Sequence, residues 1–339
     1  MDSAQTALAP AATAELDSML HEQLVDRRQR LQTARTQVGY DADFSRLLNE
    51  VDAALMRFEK GTYGLCEECH DPIEPERLLA DPLMTVCLGD LTQKQRHALE
   101  DDLQLAAQIQ NALLPKRNAA STFWKVDFVY QPAGIVSGDY VDVMQQDGEL
   151  YFVLGDVSGK GMGASLLMSN LHAMFHSLIP LGLELCDLMA RANRLFCEST
   201  LANQYATLIC GKINSKGEVE ICNAGHLPPI VVKESENFPI DSSGLPLGLF
   251  CDSNFASSCA RLDLGDSLLL YTDGVTEAND HVGAEFGVGR LLESINGGFT
   301  SDPGELLAGS LNAIEGFRGN VPRADDLTMM ALKFTGAIN

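Results

Sequence analysis

Residues 150–168 read LYFVLGDVSGKGMGASLLM, from Leu150 to Met168. An apolar run, Leu150 to Leu154, leads to a carboxylate, Asp156, in a turn that carries Gly159, Gly161 and Gly163, and a helix-compatible run starts at Ala164. The order is strand, acid, loop, helix. Glycine admits positive φ and close approach of a ligand to the backbone, so an acid fixed at a strand end beside glycines suits a metal or phosphate site. An ordinary strand-to-helix turn has the same local pattern. A P-loop, G-x-x-x-x-G-K-[ST], fails, because counting from Gly155 puts Lys160 where its second glycine must stand. Gly159, Gly161 and Ala164 satisfy the looser G-x-G-x-x-A dinucleotide fingerprint. That match is weak, since Asp156 would aim negative charge at a pyrophosphate and no clear βαβ unit follows.

Other acids recur at similar places. V-S-G-D-Y-V-D puts Asp139 and Asp142 after the mixed run Phe128 to Val136, and Y-T-D-G-V-T-E ends the run Leu268 to Tyr271 on Asp273 and Gly274. R-A-D-D-L-T-M-M-A-L sets Asp325 and Asp326 directly before another apolar run. Each lies at a strand margin, so the acids can converge on one edge of a sheet. Carboxylates gathered without compensation repel and raise one another's pKa, which calls for a cation among them. Oxygen ligands without convergent histidines favour Mg2+ or Mn2+ over zinc or copper.

Together with N-A-G-H-L-P-P (Asn223 to Pro229) and L-P-L-G (Leu245 to Gly248), these motifs resemble, all in order from about Leu105 to Phe334, the bacterial metal-dependent serine/threonine phosphatases of the sporulation-stage-II-E and sigma-B-regulator type. The resemblance implies the type 2C superfamily fold: class α+β, an αββα sandwich of two antiparallel sheets flanked by helices. It also implies two Mn2+ or Mg2+ ions and water attacking a phosphate monoester in line, without a phospho-enzyme. Matched motif by motif, Asp156 is the bridging ligand, with the Val157 carbonyl beside it; Asp139 binds the second metal, and Asp273 and Asp325 complete the set. Asp142 and Asp326 are adjacent candidates. Ser158 stands where the eukaryotic branch has a histidine proton donor, which leaves leaving-group protonation to water, and Lys160 reads as a solvated loop residue. The implied partner is a phosphorylated protein, an anti-sigma-factor antagonist.

The 339 residues are enough for about two domains, and 45% hydrophobic content indicates a proper core. A net charge of −23, from 47 acids against 24 bases, argues against direct nucleic-acid binding. No apolar run approaches the roughly 20 residues that span a bilayer, and Met1 to Ala14 lacks the basic and apolar regions of a signal peptide, so the expectation is a cytoplasmic protein without a membrane partner. Nine cysteines, an odd number without framework spacing, suggest thiols and a metal site before disulfides.

Residues 1–13 read as a disordered tail and 14–90 as a helical hairpin plus a small module. One helix is expected from Ala14 to about Val38 and a second over Phe44 to Lys60, with Leu47, Leu48, Val51, Leu55 and Phe58 on one face. Cys66 and Cys69 then form a C-x-x-C, and Cys87 and Asp90 stand where a second pair would be. With A-L-M-R-F-E-K-G-T-Y-G before and P-I-E-P-E-R-L after, the segment resembles the DksA/TraR zinc finger. Asp90 in the fourth position leaves open a Cys3Asp zinc site, a site completed by His70, or a metal-free relic. The same resemblance carries a competing function, an RNA-polymerase-binding regulator with an accessory or inactive phosphatase domain; a pseudo-enzyme scaffold is the third, and the presence of all four aspartates counts against it.

Residues 91–115 read as a linker helix, Leu91 to Leu114 before Pro115, with Leu99, Leu103, Ala106, Ile109 and Leu113 at helical spacing; its stripe favours a homodimer. The catalytic domain is placed at 116–339. Within it helices are expected over Ala164 to Leu178 and Leu183 to Leu201, the latter with Leu185, Leu188, Met189, Ala192, Leu195 and Phe196 inward. Strands are expected over Tyr205 to Ile213, Glu218 to Cys222, Pro229 to Val232 and Leu268 to Tyr271. His172 and His176, without an acidic partner motif, read as packing or surface residues, and His226 as a turn-shaping residue. Cys186, Cys197, Cys210, Cys222, Cys251 and Cys259 read as buried thiols.

Overall fold

The computed structural model describes residues 19–29, 32, 42–90, 93–116, 119–120, 123–201, 204–240, 244–296 and 302–336. The expected tail, and the expected first helix outside 19–29 and 32, lie outside the described residues. The chain divides into two compact units, Met1–Asp102 and Leu103–Asn339.

In the first unit, helix α1 covers residues 19–29 and α2 covers Ala42–Glu59. Leu24 on α1 is buried with Val51 and Ala54 of α2, so each helix supplies the apolar partner that the other lacks in water. A short helix, α3 (Pro75–Ala80), starts with proline in its first turn, where no backbone donor is lost. Its Leu78 joins Leu20, Ile73, Cys66 and Cys87 in one cluster, which ties finger to hairpin. Helix α4 (Gln93–Leu113) begins in this unit and ends in the next without interruption. Its inward side carries Leu103, Ala106, Gln110 and Leu113, while Leu99, Leu105 and Ile109 are 40%, 55% and 55% exposed. The expected stripe is therefore split between two faces.

The second unit holds strands β1 (Ala119–Ala120), β2 (Trp124–Gln131), β3 (Asp139–Gln146), β4 (Glu149–Val157), β5 (Ala206–Ile213), β6 (Glu218–Ala224), β7 (Ile230–Val232), β8 (Asn237–Pro239), β9 (Ser257–Arg261), β10 (Ser267–Tyr271) and β11 (Leu327–Phe334). Its helices are α5 (Gly161–Leu178), α6 (Leu185–Ser199), α7 (Asp273–Thr276), α8 (Gly287–Ser294) and α9 (Pro303–Arg318). Strands pair antiparallel into a six-stranded sheet, β1-β2-β11-β10-β7-β8, and a five-stranded sheet, β3-β4-β5-β6-β9.

Side chains alternate across a strand, and β4 uses both faces. Phe152 and Leu154 enter the core between the sheets with Val126, Phe128, Leu268 and Met330. Tyr151 and Val153 enter the opposite core, beneath α5 and α6, with Leu171, Phe175, Leu188 and Phe196. A third core lies between the six-stranded sheet and α8 and α9, around Leu269, Met329, Leu291 and Leu307. Helix, sheet, sheet, helix is the expected αββα sandwich.

Three local expectations are corrected. Helix α5 begins at Gly161, three residues earlier than Ala164, because the first turn of a helix needs no backbone partner and tolerates glycine there. Leu195 on α6 is 41% exposed, off the buried stripe formed by its neighbours. Cys197 and Cys251 are joined as a disulfide with Cα atoms 5.7 Å apart, Cys259 is exposed and Cys186 half-buried, so of these six only Cys210 and Cys222 are buried thiols. Asn193 on α6 explains the pairing: its side chain donates to the Phe250 and Cys251 carbonyls and seats that loop on the helix.

Candidate active site

Hydrogen-bonded strands put directly opposite residues on one face, and Asp139 of β3 lies opposite Asp156 of β4. Asp139 shares its face with Val141, toward the second sheet. Asp142, an odd number of residues away, shares its face with Tyr140, toward α5, and so leaves the site. Asp273 follows β10 through Thr272 and opens α7, and Asp325 and Asp326 precede β11. Antiparallel pairing of β10 with β11, Tyr271 opposite Met329, brings these two ends together. Gly274 is required here: a Cβ at that position would stand 1.9 Å from the Asp326 carbonyl oxygen.

Asp139 is buried, and its Oδ2 accepts hydrogen bonds from Thr272 Oγ1 at 3.0 Å and Thr328 Oγ1 at 2.5 Å. One carboxylate thus fastens the five-stranded sheet to the six-stranded one. Asp326 has both oxygens engaged, accepting from the Ala133 and Gly138 backbone N–H groups at 2.8 and 2.9 Å. It holds the loop that leads into Asp139, a positioning role. Asp325 Oδ1 accepts from the Asp326 N–H, while Oδ2 lies 3.0 Å from Lys160 Nζ. Lys160, which also donates to the Ala324 carbonyl, is therefore a partner of the acids and not a detached loop residue.

Burial pushes Asp139 well above the ordinary carboxylate range, and Asp156 adds to it, although the two threonine hydroxyls pull the other way. Asp156 is pushed up to about 7 by burial first, then by Asp273, Asp325 and Asp326, with Lys160 opposing. Asp273 is raised by burial and by Asp325. A set of oxygen donors that hold protons against their will is what a hard divalent cation relieves. The Val157 carbonyl and Asp156 Oδ1 lie side by side: a Cβ added at Gly138 would meet them at 3.1 and 3.4 Å. The residues present fit the expected Mn2+ or Mg2+ set.

Because a cation must displace the proton on Asp156, and Asp139 is raised as well, apparent affinity for Mn2+ should fall by at least about tenfold per pH unit below about 7. Titration calorimetry across that range checks this, and a flat profile contradicts it. Ionising Asp156 costs the metal-free fold stability. The contribution of this one group is fully present below the usual carboxylate range and is lost as pH climbs through about 7.

The remaining readings resolve one by one. Ser158 Oγ accepts from the Tyr205 N–H at 3.0 Å and shapes the turn. His226 is buried, its pKa lowered to about 4 by burial. Its Nε2 faces the Tyr271 carbonyl at 3.1 Å and must donate, so Nδ1 accepts from Thr207 Oγ1 at 2.8 Å. Thr207 lies opposite Asp156, and Tyr271 precedes Thr272 and Asp273. The turn-shaping histidine thus also ties β10, which leads to Asp273, to β5, the strand beside Asp156. His172 and His176, expected to lack an acidic partner, meet Asp142: Nε2 of each lies 3.8 and 2.8 Å from its Oδ2. Burial and the neighbouring His176 hold His172 below the usual histidine range.

In the first unit the Sγ atoms of Cys66, Cys69 and Cys87 lie within 4.8 Å of one another, and Cys69 and Cys87 are 3.6 Å apart. Hydrogen bonds from His70 N to Cys66 O and from Cys66 N to Asp71 O close the first turn. Three convergent thiol sulfurs suit zinc. His70 does not join the cluster, and the Asp90 side chain lies outside the described residues.

Residues 146–335 match the family model of stage II sporulation protein E, and residues 61–89 match the prokaryotic DksA/TraR C4-type zinc finger. Protein IcfG of Synechocystis is 29% identical over 265 residues, 68% of this chain and 41% of that protein. Phosphoserine phosphatase RsbU of Bacillus subtilis is 26% identical over 188 residues, 55% of this chain and 56% of its own. The chain spans about half the length of these curated relatives. The type 2C phosphatase domain of SiaA from Pseudomonas aeruginosa shares the fold, with a TM-score of 0.63 at 18% identity over 70% of this chain and 97% of that one. Two packed antiparallel sheets and a family match over more than half its length make this chain a member of the stage II sporulation protein E family.

Proposed function

We propose that the protein is a metal-dependent serine/threonine phosphatase that hydrolyses phosphoserine or phosphothreonine on a signalling protein of the anti-sigma-factor-antagonist class. The observation that carries this reading is the register of Asp139 against Asp156 with Asp273 and Asp325 close enough to raise the Asp156 pKa. The naming of RsbU as a phosphoserine phosphatase supports it. Asp156, the Val157 carbonyl, Asp139, Asp273 and Asp325 would hold two Mn2+ or Mg2+ ions. Those ions would supply an activated water and neutralise the phosphate charge. Asp326, Thr272 and Thr328 hold the ligands in place. Lys160, which pairs with Asp325, stands beside these acids as a cation for an incoming phosphate. The leaving serine or threonine oxygen takes its proton from water, since Ser158 is occupied in its turn.

The exposed Leu99, Leu105 and Ile109 on α4 support pairing with a second copy, and the three thiols of the finger support a zinc ion there. We place the protein in the cytoplasm. Among the described residues no helix is long and apolar enough to cross a membrane. The match of residues 61–89 to the DksA/TraR finger favours a second reading, docking on RNA polymerase. Hydrolysis of p-nitrophenyl phosphate and a phosphoserine protein in Mn2+ separates the two. Activity is expected to vanish with EDTA and return with Mn2+; turnover by thoroughly chelated protein, or none in Mn2+ alongside stable polymerase binding, removes the phosphatase reading.

A further inference from the structure

We propose that Asp142, His172 and His176 form a second cation site, selective for a zinc-type divalent ion, on the face of the five-stranded sheet opposite the acidic centre. His172 and His176 are four residues apart on α5, which places them one turn apart on the same side of the helix. Their rings stack with centroids 4.0 Å apart, and Nε2 of each turns to the same oxygen, Asp142 Oδ2, at 3.8 and 2.8 Å. The three donor atoms all lie within 4.8 Å of one another. Zinc holds nitrogen and oxygen ligands at about 2.0–2.1 Å, so donors around a tetrahedral ion stand roughly 3.3 Å apart. The two measured separations bracket that value.

A simple hydrogen bond accounts for His176 and Asp142 but not for His172, whose Nε2 points at the same atom from beyond hydrogen-bond distance. The carboxylate is already fixed from behind: Oδ1 accepts from the Val143 N–H at 2.8 Å and Oδ2 from the Tyr140 hydroxyl at 2.9 Å. Such outer hydrogen bonds orient metal ligands in built sites. Exposure is graded, with the Asp142 side chain 4%, His172 18% and His176 45% exposed, which leaves a solvent side for a water as fourth ligand. Two imidazoles and one carboxylate select zinc, nickel or cobalt over the hard ions suited to the all-oxygen centre. Asp139 and Asp142 are on opposite faces of β3, so the two sites take separate ions. An ion here bolts α5 to β3. The inference stands on these three residues and is independent of the proposed phosphatase activity.

The test titrates Zn2+ into the full chain in excess Mg2+ and counts bound zinc by elemental analysis after gel filtration. Wild type is expected to retain one zinc more than His172→Ala or His176→Ala, and Cys66→Ser to lose a different equivalent, so that Cys66→Ser combined with His176→Ala loses both. A measurement on wild type covers the case in which a variant misfolds. Carbethoxylation of histidines by diethyl pyrocarbonate, mapped by peptide mass spectrometry, is expected to be blocked by Zn2+ at His172 and His176 and not at the exposed His281. Equal zinc content in wild type and both folded histidine variants, or carbethoxylation of His176 at the same rate with and without zinc, overturns the proposal.

Discussion

Asp156→Asn is expected to lower turnover on the order of a thousandfold or more, the scale seen when one preorganised electrostatic contact is removed from an active site. Asparagine keeps the shape and one oxygen but not the charge, and Asp156 is the acid that Asp273, Asp325 and Asp326 all bear upon. The stability effect runs the other way. Removing the carboxylate whose ionisation the fold resists should leave the metal-free protein as stable as wild type, or more stable by up to a few kcal/mol above about pH 7, where wild type has paid for ionisation. Asp273→Asn should behave alike with a smaller gain. Two readouts decide the assignment: kcat with saturating Mn2+, and Tm in EDTA. Near-wild-type kcat means the site is elsewhere, and a large drop in Tm means that the lost activity reports a damaged fold.

The residues that could be read from sequence are those whose spacing alone implies placement. Asp156, Asp273 and Asp325 each stand at the edge of an apolar run, and the sheet ends bring them together as that pattern requires. Asp139 against Asp142 was decidable in principle. The two lie three apart on a strand, so period two sends them to opposite faces, and the structure uses Asp139 for the centre and Asp142 for the histidines. Asp326 was open for a different reason: its role is to hold backbone N–H groups at Ala133 and Gly138, almost two hundred residues earlier in the chain, and no local pattern encodes a partner at that separation. Thr272 and Thr328 are equally silent until β10 and β11 pair. The Cys197 and Cys251 pairing depends on Asn193 seating a loop. By contrast α9 carries its start in the sequence: Asp302 and Glu305 form a capping box, with Pro303 in the first turn.

Gln110→Ala is expected to weaken Mn2+ binding roughly ten- to a hundredfold, because this one residue of α4 reaches into the catalytic unit's backbone. Its side chain is buried, donates to the Ser137 carbonyl at 2.7 Å and accepts from the Ser137 N–H at 2.9 Å. Ser137 Oγ in turn accepts from the Asp139 N–H at 3.0 Å, the backbone of a site acid. An orphaned buried backbone group costs about 1–3 kcal/mol, and the loop can avoid that cost only by moving, which carries Asp139 with it. Helix α4 runs unbroken from Gln93, before the division of the chain at Leu103, to Leu113, so a rotation imposed near the finger reaches Gln110. We therefore expect the finger and hairpin to act as an input module, with the Gln110 clasp as the element whose two arrangements both ends bias. Inserting two glycines after Gln104 turns the helix by roughly 200° and weakens it, and should leave turnover insensitive to the finger. Cys66→Ser should then change turnover in the native helix and not in the insertion variant. If both variants, and a chain starting at Leu103, match the full chain in turnover and in Mn2+ dependence, the helix is a passive tether and the clasp is only structural.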